Sequence, residues 1–311
     1  MDIAIDIILK AGRSAVELSL FILLPVMVVM LSIMRYLESK GALDWLAHRL
    51  APLLKPFGLT GFGIFAMLQV NLVSFAAPVA TLAMMEQRGV SNRQLAATLA
   101  MVLAMSQANV TFPMAALGLK IGLLLAISVL GGLVAAAVTW YGFARALPAE
   151  DHVVDESLHA PQTKPQGLLD VINHAGAEAF RIATGAIPML LLSLVVVTSL
   201  RISGSIDALT RLTAPFFAML SIDTAFLLPA LTKYLGGGTA MLGVMEEMMR
   251  HGQMSAEAFN KAAGFLIHPL DIPGVAVLIS AGKRVAGVWK PALLGGLVGV
   301  LFRTAGHLLL A

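Results

Sequence analysis

The sequence predicts an all-α polytopic membrane protein made of two inverted repeats, each with a re-entrant hairpin and a broken helix. Three observations carry that expectation. Of the 311 residues 58% are hydrophobic and 13% charged, and the mean hydropathy of +0.86 is far above that of soluble globular chains. Apolar runs long enough to cross a bilayer recur along the whole chain. The second half also repeats landmarks of the first at an offset of 163 residues.

The apolar runs cover about 14–37, 58–86, 94–118, 121–147, 177–200, 221–249, 257–281 and 288–310. The first reads as a span and not as a cleaved signal, because Glu17 lies within its beginning, no small-residue cleavage site follows, and similar runs continue downstream. Between the fourth and fifth runs, "PAEDHVVDESLHAPQTKPQGLLD" at 148–170 is acidic, rich in Pro and Gln, and has no sustained apolar face. It reads as a solvated linker between membrane repeats at 1–147 and 171–311. His152 and His159, seven apart within it, read as solvated side chains and not as metal ligands.

The repeat is visible in "LDWLAHRLAP" (43–52) against "IDALTRLTAP" (206–215), which aligns Asp44 with Asp207 and Pro52 with Pro215. The same offset pairs Pro25 with Pro188 and Gly89 with Gly252, and one residue more pairs Gly131 and Gly132 with Gly295 and Gly296. Such internal symmetry is common in transporters, with the substrate site near the midplane where the repeats meet.

Both halves interrupt a long run at matching places, the first in "QVNLVSFAAPVATLAMM" and the second in "LTKYLGGGTAM" (231–241). Hydrocarbon offers no water to unpaired backbone groups, so irregular backbone at membrane depth must be surrounded by protein or a wet cavity. The interruptions therefore read as tips of re-entrant hairpins, 59–72 with 76–87 and 221–235 with 239–250; the alternative is one long kinked span in each half. A short amphipathic, interfacial piece precedes each hairpin, at about 42–56 and 205–219. A second interrupted helix follows each, broken by "SQANVTFP" (106–113) and "HPLDIPG" (268–274).

One hairpin and three spans per half make the repeats inverted. Lys and Arg then divide into eight on one face, Arg303 among them, and twelve on the other, which by the positive-inside rule places the linker in the cytoplasm and both termini outside. The net charge of +3 is scattered through loops without aromatic clusters and does not point to nucleic acid. With no cysteine, disulfides and thiolate metal sites are excluded.

Two repeats with a polar or glycine-tipped hairpin and a proline-broken helix, and short stretches such as "LGGGTAM" and "HPLDIPG", resemble the nucleoside recognition or Gate family over about 10–305. That family includes the spore maturation proteins A and B and the membrane part of ferrous-iron transport protein B, and is related to concentrative nucleoside transporters. The resemblance implies a bacterial inner-membrane transport protein for a small polar, nucleoside-like solute. It implies that Gln69, Asn71 and Ser74, with Thr232, Gly236, Gly237, Gly238 and Thr239, are hairpin-tip groups. Gln107, Asn109 and Thr111, with His268 and Asp271, correspond to the unwound-helix groups lining a central polar site. The chain departs from the iron transporter in having no phosphate-binding G-x-x-x-x-G-K-[ST] loop and no cysteine for a soft metal.

The amides and hydroxyls at those breaks suit a neutral or zwitterionic polar solute, though the same set would serve an amino acid or a hydrated ion, and each group could instead bond helix to helix. Asp271 and His268 are candidates for proton or sodium coupling, because ionisable groups inside a span are costly; a structural Asp–His pair or an Asp271–Lys233 pair is the alternative. No catalytic nucleophile with its base and no H-E-x-x-H spacing occurs, so neither an enzyme nor a cofactor is expected. The other function classes are a membrane assembly or signalling subunit of the same fold, and a divalent-ion conduit. The plan leaves room for a homo-oligomer.

Overall fold

The computed structural model describes residues 2–149, 167–204 and 224–311, with positions 208, 211, 212 and 215 between them. The linker expected at 148–170 and the amphipathic piece at 205–219 therefore fall mostly outside the described residues. Those described are helical nearly throughout.

Helices α1 (Asp2–Glu17) and α2 (Leu24–Ser39) run together through a π-helical turn, Leu18–Leu23, into a single apolar span, Ile5–Leu37. The short α3 (Ala42–Leu54) follows, with Trp45 and Leu53 exposed. Next come α4 (Gly61–Leu72) and α5 (Pro78–Gln87). At a rise of about 1.5 Å per residue these two are roughly 18 and 15 Å long, about half a bilayer core of ~30 Å. The chain doubles back between them, because Thr81 Oγ1 donates to Gln69 Oε1 at 2.7 Å across a separation of twelve residues that a continuous helix would hold far apart. This is a hairpin and not a kinked span.

Helices α6 (Asn92–Ala104) and α7 (Ala108–Ala115) are two parts of one broken helix. It is buried along almost its entire length, so it is the central post of the bundle. Its alanine-rich surface permits close approach on every side, as membrane packing without a hydrophobic driving force requires. α8 (Ile121–Val138) completes the first half.

The described part of the second half again contains a long helix, a pair of short helices and a broken helix. α9 (Leu168–Ile202) packs on α1 and α2; α10 (Leu227–Gly236) and α11 (Gly238–Arg250) pack on each other; α12 (Ala256–Leu266) and α13 (Ile272–Ile279) are again a broken helix. After a short α14 (Lys283–Gly287), α15 (Trp289–Leu310) packs on α6, α8 and α12. Corresponding positions share local chemistry. Ser91 and Ser255 each cap a broken helix, and Gly89 and Gly252 both take positive φ, 73° and 66°.

Five helices among the described residues are long and apolar enough to span: Ile5–Leu37, Asn92–Ala115, Ile121–Phe143, Leu168–Val196 and Trp289–Leu310. The run at 257–281 is divided at the expected interruption, 268–274, because Pro269 and Pro273 remove donors and Asp271 starts a new helix. Arg303, counted above among the charges on one membrane face, is fully buried in α15. A Cβ at Gly131 on α8 would fall on its side chain, so that glycine is what admits it. Other charges group by face. Lys10, Arg13 and Arg250 border one open depression, whereas Arg284 holds Asn92 Oδ1 and the carbonyls of Glu86 and Val90.

Candidate functional site

Both hairpin tips and both helix breaks meet at one cavity of about 270 Å³. Its wall includes Ser74, Phe75 and Ala76 from the first tip and Gly236, Gly237, Gly238 and Thr239 from the second. Gln107 and Asn109 come from the first break, and Asp271, Pro273 and Gly274 from the second. Leu23, Ile182 and Gly185 close it with atoms of the π turn and α9.

The second tip depends on glycine. Gly237 has φ 87° and ψ 173°, a combination almost confined to glycine, and it separates α10 from α11. At Gly238 the need is space, since a Cβ there would fall on Gln107 Nε2 and 3.0 Å from Val110 Cγ2. The first tip carries side chains, and Ser74 Oγ accepts from Ala77 N at 3.2 Å to start α5.

Two amides join the parts. Asn109 Oδ1 accepts from Phe75 N at 3.3 Å and its Nδ2 donates to Thr239 Oγ1 at 3.4 Å, so one side chain touches both tips. Gln107 Nε2 donates to the His268 carbonyl at 3.3 Å, linking the two breaks. Asp271 is the N-cap of α13: Oδ1 accepts from Gly274 N at 2.7 Å, and Oδ2 forms an ion pair with Lys233, which is wholly buried in the last turn of α10.

Other residues singled out from sequence lie elsewhere. Gln69 braces the first hairpin through Thr81. Asn71 is buried behind the break, where Oδ1 accepts from Ser106 Oγ at 2.7 Å and Ser128 Oγ at 2.8 Å. Thr232 bonds back to Leu228 O, and Thr111 Oγ1 is buried without a hydrogen-bond partner. His268 has both ring nitrogens engaged. Nδ1 accepts from Leu270 N at 3.1 Å, which leaves the proton on Nε2 to meet Phe265 O at 2.9 Å. A ring fixed in this way supports the break and has no free nitrogen for the solute.

Sequence reasoning did not select Lys233, Gly274 or Arg303 as site groups. The first two had a signal: Asp-Ile-Pro-Gly is an N-cap followed by a proline-started turn, and a lysine in an apolar run requires a partner. Among the described residues, no three His, Cys, Asp or Glu come together as metal ligands.

These features define a polytopic membrane protein with a polar cavity at the meeting point of interrupted helices. Residues 20–123 match the family model Gate, described as nucleoside recognition. Solved structures agree on the fold. CNTnw, a concentrative nucleoside transporter, is similar as a doubly substituted variant in an outward-facing state, at 17% identity and TM-score 0.69, covering 92% of this chain and 75% of that one. In an inward-facing substrate-bound state it gives 17% identity and TM-score 0.68, covering 97% and 82%. No protein of curated function matches the chain.

Proposed function

We propose that this protein moves a small polar solute, nucleoside-like in type, across the bacterial inner membrane through the central cavity. Charge movement at Asp271 and Lys233 couples that transport to protons or sodium. One observation carries the reading: both tips and both breaks contribute polar atoms to a single cavity, which Asn109 and Gln107 hold together. The substrate-binding groups in this reading are Ser74, Gln107, Asn109, Gly236, Gly237, Gly238 and Thr239. The remaining polar groups keep the tips and breaks in register. The protein has no catalytic role in this reading, and the two halves are inverted repeats about the cavity.

The test is binding and uptake by purified protein in detergent and in vesicles, using uridine and adenosine. Gly237→Val should insert normally, because its spans are unchanged, yet lose binding and transport, since a β-branched residue is excluded from this backbone conformation. Asp271→Asn should remove the dependence of uptake on pH or sodium. Wild-type affinity in Gly237→Val would take the tip out of the site. A membrane assembly or signalling subunit of the same fold would show neither binding nor uptake.

A further inference from the structure

We propose that Gly185 of α9 is the lip of the central cavity and sets the size of the solute it admits, leaving room for a base together with its sugar; this rests on the reading that the cavity is the solute site. The hairpin tips and helix breaks supply the polar groups of the wall. The rest comes from Leu23 of the π turn and from Ile182 and Gly185 of α9, which bring no polar side chain.

Glycine inside a helix costs stability relative to alanine, so a glycine there calls for a reason. Around the cavity the reason is usually backbone or contact. Gly237 takes positive φ, a Cβ at Gly238 would fall on Gln107 Nε2, and one at Gly274 would fall on Pro269 O. On α15 a Cβ at Gly299 would lie 2.6 Å from Gly131 O, so that glycine admits a neighbouring helix. Gly185 has neither reason. It lies inside α9 without positive φ, and a Cβ there would meet nothing within 4 Å. The other glycine of α9, Gly176, is equally open but does not border the cavity.

The space left empty at Gly185 belongs to the cavity mouth. Ile182, one turn earlier, borders the same cavity, and a helical side chain leans toward the N-terminal turn. A side chain at 185 would therefore extend beside Ile182, across the opening. Gly185 is itself exposed, so the cavity opens past α9 at this point. With about 270 Å³ the cavity is at the small end of ligand sites, and side-chain carbons at its lip would take room that a base with its sugar needs.

Equilibrium binding of uridine and uracil to the purified full chain tests the assignment in Gly185→Ala, Gly185→Leu and, as a matched control on the same helix, Gly176→Leu. Uridine affinity should fall stepwise from alanine to leucine, by about tenfold or more at leucine, as a change of a few methylenes in a pocket does. Uracil, which lacks the sugar, should lose less, and Gly176→Leu should bind uridine like the unsubstituted protein. No contact is lost at Gly185, so the melting temperature in detergent should stay or rise. A second measurement needs no bulky residue. Gly185→Cys in this cysteine-free chain should react with a water-soluble thiol reagent, and uridine should slow the reaction. Leu192→Cys, two turns further along the same face and 60% exposed, should not react. Unchanged uridine affinity in folded Gly185→Leu, an equal fall for uracil or in Gly176→Leu, or labelling that uridine does not slow overturns the assignment and leaves the solute site standing. Absence of uridine binding that Gly237→Val weakens overturns both.

Discussion

Asn71 and Asn109 are the same residue type in neighbouring interruptions, yet they face opposite ways. Asn109 reaches both hairpin tips and borders the cavity, whereas Asn71 accepts from two serine hydroxyls behind the break and donates to Met67 O at 2.9 Å. Asn71→Ala would remove the buried acceptor of both the Ser106 and Ser128 hydroxyl protons, leaving Ser128 Oγ with the bond it accepts from Ser106 N at 2.7 Å. The expected cost is about 1–3 kcal/mol for each group left without a partner. Thermal unfolding in detergent should show that loss while the ratio of affinities between two solutes stays unchanged; a changed ratio would put Asn71 in the site. His268 and Asp271 diverge in the same manner. Both are buried and ionisable, but the imidazole is consumed by its own backbone and the carboxylate is presented to the cavity.

Short helices organise the elements. None of α4, α5, α10 and α11 is long enough to cross a bilayer alone, so each hairpin must be held by its neighbours. The first is fastened at its outer end. Glu86 Oε2 accepts from the amides of Arg284 and Val285 at 3.1 and 3.2 Å, and Arg284 returns bonds to the Glu86 and Val90 carbonyls at 3.2 and 2.6 Å. This latch joins a hairpin of one half to the short α14 of the other. Glu86→Ala removes the acceptor for two amides, and should destabilise by about 1–3 kcal/mol. Hydrogen exchange should rise at α5 and α14 together; protection unchanged at α14 would mean that the two elements are held independently. The outer end of the second hairpin borders an open depression lined by Lys10, Arg13, Glu17 and Arg250 instead.

Across the whole molecule, pieces of both halves meet at one cavity, and the proposed orientation in the membrane rests on charge. With Arg303 buried, the basic residues assigned to the side of the termini become fewer, which strengthens the bias toward a cytoplasmic linker. Gln162→Cys in this cysteine-free chain should resist an impermeant thiol reagent in intact cells and react after permeabilisation; labelling in intact cells would reverse the orientation. The sequence by itself determined the membrane class and the four interruptions, because hydropathy, proline and glycine act locally and every backbone group in lipid must be satisfied close by. It also marked Gly237, Asn109 and Asp271 as residues out of place in an apolar run. Only the tertiary structure decided which marked groups face the cavity and which bond one helix to another. It paired Asp271 with Lys233 and left Arg303 without an ion pair among the described residues, because those outcomes depend on distances between segments that are far apart in the chain and that no local pattern encodes.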